Sequence, residues 1–401
     1  MHFWKLLFAA VHRPFFLAGT AYGIMSIALW TLHLTGLFPF TSNQPQAWAH
    51  VAQVIYFFFP FYIFGFLLTV FPRLMSMPSI AQRTYTSIFL AYFAGSLLFT
   101  IGLYLDGPWL QIGSLIACIA YGAAAYQLLM VLLRSDYPHK QMPLFMLIGA
   151  AFGLLGLVCL TILTILGSTL WGQLAKAIGI YGFLLPVIYA VAYRMVPIFT
   201  AHSGREVVRM RYGLQLMLTF SLVRMLLTAG DASELYWLAD LGLFIIISLQ
   251  LWQWKVWRPK PFVIQSVLHW SLLWFPISFL LSAGASLTEW VQGDRWLMAE
   301  QAALHALVVG GFGTLLLGMA TRVTLGHSGR PVHSDAYTNV LFVMFQIVPL
   351  TRVASGLLSD FLPVFSHGVW FSGFAWVIFF ALWAWRYLPI YLQPRVDGKP
   401  G

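Results

Sequence analysis

Charge is scarce in this chain. Only 8% of its 401 residues are Asp, Glu, Lys or Arg, while 60% are hydrophobic, and the mean hydropathy is +0.81. No soluble core can hide that much apolar surface, so a soluble globular domain is excluded and a polytopic membrane protein is expected. Cysteine is scarce too. Cys118 and Cys159 both lie in apolar runs, where they read as packing residues, and a CxxC redox or metal motif is absent. The sequence also lacks a Walker A loop, GxSxG, HExxH and CxxCH, and the last absence argues against covalent c-type haem. No small-residue cleavage site follows the first apolar stretch, so no removable signal peptide is expected.

What remains is a series of long apolar runs. Twelve are long enough to cross about 30 Å of hydrocarbon at about 1.5 Å per residue. They run roughly 15–36, 47–70, 84–105, 110–133, 142–165, 168–193, 211–230, 233–253, 262–287, 298–321, 336–358 and 366–391, here spans one to twelve. Helices are expected because open backbone is not tolerated in lipid and the runs are too long for barrel strands. Loops are short, so residues 1–401 read as one integral membrane domain, an all-α bundle.

The formal net charge of +10 follows topology and does not point to nucleic acid. With the N-terminus cytoplasmic, the inner side collects 18 of the 22 Lys and Arg, while the outer loops hold Arg295 with six acidic residues. This distribution obeys the positive-inside rule and predicts twelve spans with both termini cytoplasmic. A faint internal echo joins spans two, six and ten. Span two ends in Phe71-Pro72-Arg73, span six in Arg194 through Pro197 to His202-Ser203-Gly204-Arg205, and span ten in Arg322 through His327-Ser328-Gly329-Arg330. The spacing suggests three four-helix units.

The few ionisable residues inside the spans concentrate in one layer. His50 opens span two, His305 lies about two turns into span ten, and His33 ends span one. Lys176, Arg224, Asp240 and Arg352 fall in the outer third of spans six, seven, eight and eleven, whereas His269 in span nine lies toward the inner face. An ionisable residue in a span is a functional hypothesis by default. The functional reading is a polar cofactor or substrate site: His50 and His305, with His33 and His269 as further candidates, would bind haem iron or copper. Arg224, Arg352 and Lys176 would neutralise anionic propionates. The competing reading has the arginines snorkelling to the interface, with Lys176 and Asp240 as a buried structural pair. His305 is too deep for a short imidazole to reach water. Gly326-His327-Ser328-Gly329-Arg330-Pro331 reads as a helix stop and turn. His2, His12, His139 and His333 are expected to be solvated among cytoplasmic charges.

Several stretches carry a resemblance over essentially the whole chain. They are Arg13-Pro14-Phe15-Phe16, Gly65 to Pro72, Arg194 to Thr200, Leu268-His269, His305 to Gly310, Thr321 to Pro331, and Trp385 to Pro389 with the tail Pro394 to Gly401. Together they resemble the NnrS family of bacterial membrane proteins. The resemblance implies a multi-pass protein of the bacterial inner membrane, associated with haem and copper and with the response to nitric oxide. Haem b is the implied cofactor. Family members typically open span two with Trp-His-Ala-His-Glu. Here Ala49-His50-Val51-Ala52-Gln53 keeps the first histidine and loses the second and the glutamate. A copper centre needing all three is not reproduced, whereas a haem needing one histidine from this helix is compatible. Haem–copper oxidases offer a fold-level analogy, with twelve spans and low-spin haem ligands from spans two and ten. Span six here has Lys176 and no histidine, so the oxidase copper site is absent.

The expected function is therefore a haem-binding membrane protein of nitric oxide metabolism or nitrosative-stress defence, bathed by the lipid bilayer, taking a small gas ligand and drawing on an electron donor that the sequence does not identify. The alternatives are a transporter for a metal complex or small anion, and a non-catalytic assembly subunit.

Overall fold

The computed structural model describes residues 2–42, 46–201, 208–258 and 263–398, and all regular elements among them are helical. Eleven of these helices are long and apolar enough to cross a membrane, and a shorter apolar helix, Gly213–Ala229, accompanies them. The chain is an all-α polytopic membrane protein. The short helix occupies the position of span seven. The second His-Ser-Gly-Arg, His202 to Arg205, lies outside the described residues, as do Lys260 and Lys399.

Two spans depart from expectation. Span ten does not stop near residue 321. Its helix continues through His327, so Gly326 and His327 form its last turn and the reversal begins at Ser328. Span eleven is interrupted at Gln346, between the helices Ala336–Phe345 and Ile347–Leu358. Pro349 lies just past the break, and its missing N–H removes a hydrogen bond that a continuous helix would need there.

The chain divides into two compact units. The first comprises Met1–Val187, His327–Arg330 and Ala384–Gly401, and the second Ile188–Gly326 and Pro331–Trp383. Aromatic rings fill the first. Phe61 meets Tyr92 edge to face at 5.1 Å, and Phe64 meets Tyr121 at 4.6 Å, within the 4.5–7 Å over which such pairs attract. Spans three and four pack backbone to backbone. A Cβ on Gly113 would lie 2.3 Å from Phe99 N, and one on Gly95 2.7 Å from Ala117 N. Helices without a hydrophobic drive between them associate through such close approaches.

Three spans are locally widened into π-helix: Gln53–Phe58 in span two, Ile178–Leu184 in span six and Ala306–Gly313 in span ten. Such a segment leaves carbonyls short of their usual partners, and in lipid another group must serve them. Neighbouring hydroxyls do so at all three. Tyr92 donates to the Tyr56 carbonyl in the first segment. Tyr56 donates to Ala175 just ahead of the second, and Ser278 donates to Ala303 at 2.7 Å just ahead of the third. The Tyr56 ring reaches Ala175 because Gly156 and Gly179 leave room for it: a Cβ on either would collide with its hydroxyl.

Candidate cofactor site

Each π segment is headed by one of the polar residues singled out from the sequence. His50 sits three residues ahead of the first, Lys176 two ahead of the second, and His305 directly ahead of the third. Single-turn π segments inside α-helices occur frequently at functional sites. All three side chains are half-buried.

In the first unit, His50 lies flat on Trp30, with ring centroids 4.6 Å apart and planes 11° from parallel. The same indole lies 5.4 Å from the His33 ring, which stacks on Phe40 at 4.5 Å. His33 has both ring nitrogens engaged. Its Nδ1 accepts the Phe40 backbone N–H at 3.1 Å, which places the proton on Nε2, and Nε2 donates to Gln46 Oε1 at 2.9 Å. These bonds tie the connection between spans one and two to the end of span one.

In the second unit, the His305 ring has its tautomer set. Nδ1 lies 2.7 Å from the Gln301 carbonyl, one turn earlier on the same helix. A carbonyl can only accept, so Nδ1 carries the hydrogen and Nε2 carries the lone pair of the neutral ring. That second-shell arrangement is the usual one for a metal-ligating histidine. His269 is buried within span nine of the same unit.

The arginines, which look alike in the sequence, have different surroundings. Arg224 Nε donates to Asp240 Oδ1 at 2.9 Å. Its other nitrogens donate to Thr228 and, at 3.4 Å, to Ser282 Oγ. The guanidinium also lies over the Tyr236 ring, 3.3 Å from its centroid. Asp240, which the sequence alone allowed as a partner for Lys176, is thus the counter-ion of Arg224. Arg352 is buried to 8% exposure, and its Nη1 has no hydrogen-bond partner among the described residues. Outside the spans, Arg295 grips Glu300 through two nitrogens and Asp231 through a third. The Glu300 hydrogen bonds hold its guanidinium above the ordinary arginine range.

His12 is a correction to the sequence reading. It is buried at 3% exposure rather than solvated, and its ring centroid lies 4.7 Å from that of His327. Two imidazoles on opposite sides of one iron would need centroids roughly 6 Å apart, given metal–nitrogen bonds of about 2 Å, so this pair does not bracket a haem iron. The tail covers it: Arg395 donates to the His327 carbonyl at 3.1 Å, and Val396 N–H to Ser328 O at 3.0 Å. Sequence reasoning also missed Ser278 and Tyr92. Nothing in a lone serine or tyrosine of an apolar run announces that it serves a carbonyl of another span. Among the described residues, no group of three or more His, Cys, Asp and Glu side chains is placed to hold a metal ion.

Compared with known families, the chain matches the one described as NnrS protein over residues 6–395. No curated protein matches it.

Proposed function

Because the chain belongs to the NnrS family, which is linked to the response to nitric oxide, we propose that it is a haem-binding protein of the bacterial inner membrane acting in nitric oxide metabolism or nitrosative-stress defence. The observation that carries the haem reading is His305. Its Nδ1 is held by the Gln301 carbonyl, which sets the tautomer and ring orientation at the head of a π segment. Neutral imidazole so oriented is a good iron ligand. His50, its ring plane fixed on Trp30 in its own unit, is a further candidate haem ligand. We leave His33 out of the ligand set because both its ring nitrogens are engaged. Arg224 is committed to Asp240, which makes Arg352 the better candidate for a propionate. Haem would supply an iron able to bind a diatomic gas or pass an electron. The protein's own residues would orient it, balance its carboxylates and exclude water. Copper has less support: the span-two triad is incomplete, and no three-residue ligand cluster is present among the described residues.

The same reading gives twelve spans with both termini cytoplasmic, on the Lys and Arg distribution. It also treats spans two, six and ten as matching members of three four-helix units, which the three π segments support.

The test is the visible absorption spectrum of the purified protein. A Soret band is expected. It should be shifted or lost in His305→Ala and altered in His50→Ala. A protein that stays colourless after incubation with haem would refute the reading. A transporter of a small anion is the second reading, favoured by the buried Nη1 of Arg352.

A further inference from the structure

Span eleven carries three unsatisfied donors on one face. Arg352, Ser355 and Ser359 stand at i, i+3 and i+7 of the helix Ile347–Leu358 and its C-cap, a spacing that aligns side chains. Arg352 is 8% exposed and Ser355 fully buried. Arg352 Nη1, Ser355 Oγ and Ser359 Oγ are all buried and have no hydrogen-bond partner among the described residues. A guanidinium only donates, and each hydroxyl has a proton to give.

The second unit itself shows what such a guanidinium needs. Arg224 is satisfied by hydroxyls from Thr228 and Ser282 and by one carboxylate, Asp240. Arg352 has two hydroxyls on its own helix face and, among the described residues, no carboxylate paired with it. Two acidic groups of the same unit have other partners: Glu300 accepts from Arg295 through both oxygens, and Asp360 Oδ2 accepts from the Trp296 indole. A buried cation without a counter-charge is costly, and inside a membrane span it marks a site.

We propose that Arg352, Ser355 and Ser359 bind a singly charged oxyanion, which stands beside Arg352 as Asp240 stands beside Arg224. One arginine balances one negative charge, and a doubly charged phosphate would leave a buried excess. The helix around the donors is closely packed. A Cβ on Gly356 would lie 2.8 Å from Met298 O and from Ala302 Cβ, and one on Gly368 2.9 Å from Ser355 Cβ. An occupant with two oxygens would accept from both nitrogen and hydroxyl. It has two chemical sources: a carboxylate carried by a bound cofactor, which rests on the haem reading above, or a free small ion, which does not.

The experiment follows thermal unfolding of the purified full-length protein in detergent, with formate or sulfate added at matched ionic strength. A ligand that binds only the folded state raises the midpoint in a saturable way. For cofactor-free protein, formate should give such a rise and sulfate little. Arg352→Met should abolish the formate response whatever its own midpoint. The Ser355→Ala/Ser359→Ala double variant keeps the cation, and should need about tenfold more formate because it loses hydrogen bonds to a charged group. If Arg352→Met cannot be purified, the serine variant carries the test alone. Equal formate responses in wild type and either variant, or equal responses to formate and sulfate, overturn the proposal. Repeating the titration on haem-loaded protein separates the sources. A formate response that vanishes on loading assigns the site to a cofactor carboxylate, and one that persists assigns it to a free ion. Failure to take up haem refutes the haem reading while the contrast between wild type and Arg352→Met still stands.

Discussion

Arg224 and Asp240 make the sharpest stability prediction. The pair is buried, at 5% and 0% side-chain exposure, and joined at 2.9 Å. Replacing Asp240 by Leu leaves the Arg224 guanidinium with two hydroxyls and the face of Tyr236 but no counter-charge. Removing one partner of a buried ion pair costs about 3–5 kcal/mol. Replacing Arg224 by Leu should cost less than replacing Asp240, because an abandoned carboxyl can take up a proton whereas a guanidinium cannot shed one. The double replacement removes both charges together. Apolar substitutes for a buried pair are often neutral or better, so the Arg224→Leu/Asp240→Leu protein should be more stable than either single variant. The hydroxyl and ring contacts of Arg224, about 1–2 kcal/mol in sum, limit how far it recovers. Midpoints of thermal or denaturant unfolding of the four detergent-solubilised proteins form the double-mutant cycle. Additive losses would refute the argument. So would a double variant that is fully folded yet retains no cofactor, because the arginine would then be serving a ligand rather than Asp240.

Three further outcomes are expected. Ser278→Ala removes the donor to the Ala303 carbonyl and should cost about 1–3 kcal/mol, which Ser278→Thr should largely restore; an unchanged unfolding midpoint would mean that the π segment of span ten does not need the bond. Gly113→Leu drives a side chain into the backbone of span three and should abolish the folded yield, while the same change at Gly284, which has open space around it, should be tolerated. For topology, single cysteines at Asp106 and Asp294 should react with an impermeant thiol reagent from outside whole cells, and cysteines at Lys140 and Arg258 should react only after permeabilisation, in a Cys118→Ala/Cys159→Ala background; labelling of all four from the same side would overturn the span orientation.

Hydropathy run length alone determined the class of this protein. With so few charges, every long apolar run had to become a helix, because backbone in lipid has no other partner than itself. That reading located eleven helices able to cross a membrane and a shorter twelfth. It also picked out His50, His305, Lys176 and the arginines as the rare costly residues, and stretches along the whole chain, those of span ten and the tail above all, carried the family. Partnership was decided only by tertiary structure. In the chain, Arg224 and Arg352 are both single cations in the outer third of an apolar span. Packing brings Asp240 to one, while the other has a buried nitrogen with no partner among the described residues. His12 reads as one more histidine beside an arginine, yet the folded tail and the turn after span ten bury it. The three π segments carry no local signature, because the hydroxyls that stabilise them come from other spans. Hydropathy is a property of each residue and sums along the chain. Charge neutralisation and hydrogen bonding are properties of pairs, and the pairs exist only once the helices have packed.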